Sequence, residues 1–284
     1  MVPTPQVQDP SVKVPAVTYL PEDQVSVPQE ELSAALEEGK SLLQQSFTLL
    51  KAKFEGLCGD LGNHGPFIGA DACTVTEQSV FLGGSMPLFV LTEVLCGSQP
   101  SKFVAPRQAL LKVPPSDMDA YTGSPGDEFT MLREKQKRAW IQNNPYQVNF
   151  VSGSGVSVSS LLKNADWNIV GMVVCLRRTL PGPWELRAES DIGIAPLTWH
   201  FLLKDQSTVR ALPAAEDKWA SSFVRGVYKA FKLKLDLEIP RACGSPVTGG
   251  EIFQSHIDKV TACFSLCVDY SVNFISNIFR NFFF

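Results

Sequence analysis

Lys232-Leu233-Lys234-Leu235-Asp236-Leu237-Glu238-Ile239 is the most regular stretch of the chain. Apolar and charged residues alternate strictly, and a period of two is the mark of a β-strand with one covered face. A strand with one wet face is the habit of antiparallel sheets, so the stretch predicts an antiparallel strand, half buried. Upstream, runs rich in Val, Leu, Ile and Phe recur between Pro, Gly, Ser and Asp clusters. They are Thr74–Leu82, Pro87–Cys96, Ala109–Val113, Gln147–Val151, Val156–Val158, Trp167–Leu176, Trp184–Ala188 and Trp199–Leu203. Each has strand length and is bounded by turn formers. Two helical stretches interrupt them, Phe129–Ile141 and Ala214–Phe231, the second with Trp219, Phe223, Val227 and Phe231 at four-residue steps. Strands and helices do not alternate regularly enough for a doubly wound parallel sheet. The expected fold is therefore mainly β with peripheral helices (α+β), an antiparallel β-sandwich or jelly-roll-like body.

Before this body, residues 1–27 carry Pro3, Pro5, Pro10, Pro15 and Pro21, and read as an extended arm, because proline fixes φ and removes an amide donor. Residues 28–62 read as an amphipathic helix. Ser26 and Pro28 suit its start, Glu30 and Glu31 favour the positive end of its dipole, and Gly59 and Gly62 stop it. Leu32, Leu36, Leu43, Phe47, Leu50, Phe54 and Leu57 fall on one face. The β-rich body then spans 63–240, and residues 241–251 form a breaker-rich linker.

Residues 252–284 predict a second amphipathic helix of unusual balance. Asp258, Ser265, Asp269, Asn273, Ser276 and Arg280 make a narrow polar stripe, while Val260, Phe264, Cys267, Val268, Phe274, Ile275, Ile278, Phe279 and Phe282 cover most of the rest. Burying one such side chain is worth roughly 1.5–3 kcal/mol, so this face calls for a cover. Asp269 in mid-segment argues against a bilayer-spanning helix. Arg280 is the lone cation on that polar stripe, which weakens attraction to anionic lipid.

The chain has 284 residues, 25 Lys+Arg against 29 Asp+Glu, and a net charge of −4. No global basic excess points to nucleic acid. Two local patches could touch a polyanion without reading sequence: Arg133, Lys135, Lys137 and Arg138 on one helix, and Lys218, Arg225, Lys229 and Lys232 on another. Three histidines and seven scattered cysteines without a Cys-x-x-Cys pair give no metal site and no redox pair. With no basic flank and apolar run at the N-terminus and no Asn-x-Ser/Thr sequon, the expected location is cytoplasmic, or at a membrane surface through the last helix. Gly153-Ser154-Gly155 lacks the spacing of a phosphate or dinucleotide loop and reads as a hairpin turn. Glu189-Ser190-Asp191 reads as a polar loop.

No catalytic, cofactor or metal constellation emerges, so the expectation is a non-enzymatic structural or assembly protein, coat- or scaffold-like, without cofactors. Its terminal helices would join copies in a homo-oligomer or bind a protein partner. The alternative is a membrane-associated protein, interfacial, remodelling or pore-forming, using residues 252–284. A third is weak, non-specific nucleic-acid binding through the basic helices.

Overall fold

A computed structural model of the chain describes residues 16–20, 26–59, 77–103, 109–123, 132, 134–144, 146–179, 182–217 and 219–240. The elements in order are β1 (Val17–Leu20), α1 (Gln29–Gly59), β2 (Glu77–Gly83), α2 (Met86–Ser98), α3 (Ala109–Lys112), β3 (Asp117–Gly123), α4 (Glu134–Asn143), β4 (Gln147–Gly153) and α5 (Val158–Lys163). They continue with β5 (Met172–Thr179), β6 (Ile192–Ile194), α6 (Pro196–Leu203), β7 (Thr208–Arg210), α7 (Ala214–Asp217), α8 (Trp219–Leu233) and β8 (Asp236–Pro240).

The fold is mixed α/β. A five-stranded sheet runs in the order β4-β3-β2-β5-β6, and a smaller parallel sheet in the order β1-β8-β7. In the larger sheet β2 is antiparallel to both β3 and β5, β5 is antiparallel to β6, and β3 is parallel to β4. Both faces of its centre are covered. Val80, Leu82, Val174 and Leu176 join the main core with α1 and α2, while Phe81, Val173 and Cys175 pack with Val156 and the α5 side chains Leu161 and Leu162. Burial on two faces explains why β5 is a continuous apolar run rather than an alternating one.

A mixed five-stranded sheet and a parallel three-stranded sheet stand in place of the antiparallel sandwich expected from the sequence. β8 does alternate, with Leu237 and Ile239 buried, but it lies between β1 and β7 and is parallel to both. Alternation records one covered face and says nothing of strand direction. The polar face of β8 is closed by ions: Arg210 Nε donates to Glu238 at 3.1 Å and Arg210 reaches Asp205 at 2.6 Å. Ser26 Oγ also donates to Glu238. Val17–Leu20, inside the stretch expected as an arm, is the strand beside β8.

Three expected strands are helical. Pro87–Cys96 lies in α2, Trp199–Leu203 in α6, and Ala109–Val113 largely in α3. Pro87 and Pro196 sit in the first turns of α2 and α6, where a missing amide costs nothing. Both helices are buried almost all round, so their sequences carry no period to separate helix from strand. Trp167–Leu176 breaks into a bridge at Trp167, a 3-10 turn and then β5.

The long helix α1 lies within the stretch 28–62 expected as a helix. Ala35, Leu42, Leu43, Leu50, Phe54 and Cys58 are buried along it, with Leu36, Phe47 and Leu57 packed beside them. A Cβ added at Gly39 would fall 2.2 Å from the buried indole of Trp199, which marks how closely α1 and α6 approach. The expected linker 241–251 and helix 252–284 lie outside the described residues.

Candidate functional site

At the end of β2 the chain turns through Gly83, Gly84 and Ser85 into α2. Gly84 has φ +73°, and a Cβ there would fall 2.6 Å from Asp119 Oδ2, so glycine serves both the turn and the close approach of that carboxylate. Ser85 stands at the N-cap of α2, but its side chain caps nothing in its own helix. Its Oγ instead accepts a 2.7 Å hydrogen bond from Lys229 Nζ, reaching in from α8.

A cleft of about 610 Å³ surrounds this pair. Asp117, Asp119 and Tyr121 alternate along β3 and therefore share one face of it. Asn149 Nδ2 on β4 donates to Asp117 at 3.1 Å and to Asp119 at 3.4 Å, holding both carboxylates. Asp166, in the connection after α5, meets Arg225 of α8 at 2.7 Å. Lys232 lies one turn beyond Lys229, over the ring of Tyr228 at 6.0 Å. Apolar wall comes from Phe89, Leu110, Val113, Ile169 and Val170.

Charge is tuned in this cleft. Burial lowers the pKa of the Lys229 ammonium, and Lys232 adds to that, while Asp166, Asp117 and Asp119 pull it back up. Burial raises the Asp119 carboxyl, helped by neighbouring Asp117, against the Asn149 hydrogen bond and the cations Lys229 and Arg225. The Tyr121 phenol is raised by burial and by Asp119. Burial thus pushes both Lys229 and Asp119 toward their neutral forms.

Of the residues expected to meet a polyanion, Arg225, Lys229 and Lys232 come together here. Lys229 is partly buried and bonds Ser85, while Arg225 pairs with Asp166 from a side chain that stays 55% exposed. Lys137 pairs with Glu134 at 3.0 Å and Arg138 is exposed on α4, which contributes nothing to the cleft lining. Arg133 and Lys218 lie outside the described residues, as does the side chain of Lys135. The nine apolar positions from Val260 to Phe282 lie outside them too.

Sequence reasoning missed Ser85, Asp117, Asp119, Tyr121 and Asp166. The legible signals were Gly83-Gly84-Ser85 ahead of an apolar run and the alternation Asp117-Met118-Asp119-Ala120-Tyr121. Gly153–Gly155 leads from β4 toward α5 and is not a hairpin turn. The Glu189-Ser190-Asp191 loop is a 3-10 turn whose Asp191 lies 3.5 Å from Arg177. His200 Nε2 lies 3.3 Å from Glu31.

Among the described residues no three His, Cys, Asp or Glu side chains are grouped to hold a metal ion, and no helix is long and apolar enough to cross a membrane. Comparison with protein-family models, curated proteins and solved structures found no match to the chain.

Proposed function

We propose that the cleft between the Gly83–Ser85 turn, β3 and α8 binds a small acyl compound, a carboxylate or its ester with a short aliphatic tail. One observation carries this reading. Lys229 is partly buried, yet its hydrogen bond goes to the neutral hydroxyl of Ser85 and not to any of the three nearby carboxylates. A buried cation is normally matched by direct pairing, and an ammonium has three protons to give. Lys229 therefore keeps donor capacity for an incoming carbonyl or carboxylate oxygen. The neighbouring start of α2 favours the same negative charge. The apolar wall from Phe89 to Val170 suits the tail, and Asp117 and Asp119 suit a hydroxyl or amine on it.

Hexanoate tests the reading. A ligand present at 100 times its Kd stabilises the folded state by about 2.7 kcal/mol. Thermal melts should therefore rise with hexanoate in the wild type and stay flat in Lys229→Met. Equal shifts in both proteins, or none in the wild type, refute it.

A second proposal, self-association or partner docking through residues 252–284, is favoured by the broad apolar face that the sequence builds there. Native mass spectrometry of the full chain beside a chain ending at Glu251 tests it. An unchanged oligomeric state on truncation removes it.

A further inference from the structure

We propose that Ser85 is a nucleophile and Lys229 its general base, and that the cleft hydrolyses carboxylic esters through an acyl-serine intermediate. This inference rests on the acyl-compound reading above and adds chemistry to it.

Three features of the geometry support it. The Ser85 Oγ to Lys229 Nζ distance of 2.7 Å is within the reach a nucleophile and its base need. The Ser85 hydroxyl is left over from local structure, since a serine at an N-cap ordinarily bonds the amides of its own helix and this one does not. The residue also stands where a 13-residue helix begins, on a turn tightened by Gly84, so the partner-free amides of the first turn are available to an oxyanion forming beside it. Pro87 occupies one first-turn position without a donor, which leaves that role to its neighbours.

Neutral Lys229 takes the Ser85 hydroxyl proton as Oγ bonds to the ester carbonyl carbon, giving a tetrahedral oxyanion. The oxyanion collapses, the carbon–oxygen bond to the alcohol breaks, and the Lys229 ammonium returns its proton to the departing alkoxide. Water then attacks the acyl-serine, again giving its proton to Lys229. Collapse of that second intermediate frees the carboxylic acid, and the proton passes back to Ser85 Oγ. The sum is ester plus water to acid plus alcohol, with no other reactant.

The first step needs Lys229 in its neutral form. Every group facing it counts: Asp166, Asp117 and Asp119 hold the proton on, while burial and Lys232 drive it off. Arg225, paired with Asp166 at 2.7 Å, offsets the first of these carboxylates.

A biotinylated fluorophosphonate tests the proposal on the full chain, because an activated serine displaces its fluoride and keeps the phosphonyl group. Intact-mass and peptide mapping should find one adduct, on Ser85. The labelling rate should rise about tenfold per pH unit below the lysine pKa and then level off. Lys229→Met should slow labelling by about 10²-fold or more, the usual span of general-base help. Ser85→Ala should remove the adduct, and circular dichroism should show both variants folded. Folded wild type without an adduct at pH 9, or Lys229→Met labelled at the wild-type rate, overturns the proposal. The hexanoate melt keeps the two claims apart. A positive melt with no adduct sinks the nucleophile alone, and a flat melt with no adduct sinks both.

Discussion

Alanine at Gly39 and alanine at Gly56 are the same substitution on the same helix, and the structure gives them opposite signs. A Cβ at Gly39 would lie 2.2 Å from Trp199 Cδ2, 2.5 Å from Cε2 and 2.6 Å from Cγ. Carbon atoms prefer about 3.5–4.0 Å, so the indole or the helix must yield by more than about 1 Å. Trp199 is only 2% exposed, is part of the main core and has nowhere to swing. Overpacking of this kind costs about 1–3 kcal/mol, here at the upper end because the obstacle is the flat of a rigid ring. Replacing a helical glycine returns up to about 1 kcal/mol. The net is a loss of about 2 kcal/mol, a fall in Tm of roughly 4–8 °C for a chain of this size. At Gly56 nothing lies within 4 Å, so the helix gain stands alone and Tm should rise by roughly 1–3 °C. Far-UV circular dichroism melts of both variants measure the pair of signs. In a Trp199→Leu background the Gly39→Ala cost should shrink, because the obstructing ring is gone. A Gly39→Ala protein melting at or above the wild type would refute the close seating of α1 on α6.

Two further outcomes are expected. Asp205 gains from hydrogen bonds from Ser207 and Arg210 that outweigh its burial, so its pKa falls from 3.8 to about 2. A carboxyl depressed on folding stabilises above its unfolded pKa and stops doing so as pH falls through the folded one. Urea unfolding of Asp205→Asn should therefore show a deficit of about 2 kcal/mol at pH 7, shrinking to about 1 kcal/mol at pH 3; a gap constant with pH contradicts this. Gly226→Ala should both destabilise and disarm the cleft. Its Cβ would fall 2.2 Å from Trp167 Cζ2, an indole held by a 2.7 Å bond to Ser222 O, and Lys229 is three residues further along α8. A loss of about 2 kcal/mol with at least a tenfold slower fluorophosphonate reaction is expected; full stability and full reactivity together contradict the seating of α8 on Trp167.

The cleft was only partly legible in the sequence. Arg225, Lys229 and Lys232 share a helix and stood out as a basic cluster through their spacing alone. Ser85 and Lys229 are 144 residues apart, and Asp117, Asp119 and Asp166 come from other elements again. Gly83-Gly84-Ser85 ahead of an apolar run marks a turn, but nothing in it marks Ser85 as a partner of Lys229. Its role depends on α8 lying across the end of β2, which follows from how Trp167 and Gly226 pack.

Local pattern alone settled α1, because a long helix with one buried face must repeat its apolar residues at three and four, and Leu43, Leu50 and Phe54 do so. It also settled that residues near Leu237 form a strand with one covered face. It could not give the direction of that strand, since side-chain alternation is the same in parallel and antiparallel ladders and only the neighbours β1 and β7 decide. Nor could it separate helix from strand at Pro87–Cys96 or Trp199–Leu203. A segment buried on every side has no wet face, and without a wet face there is no period to read; the packing of α2 and α6 against α1 made that choice.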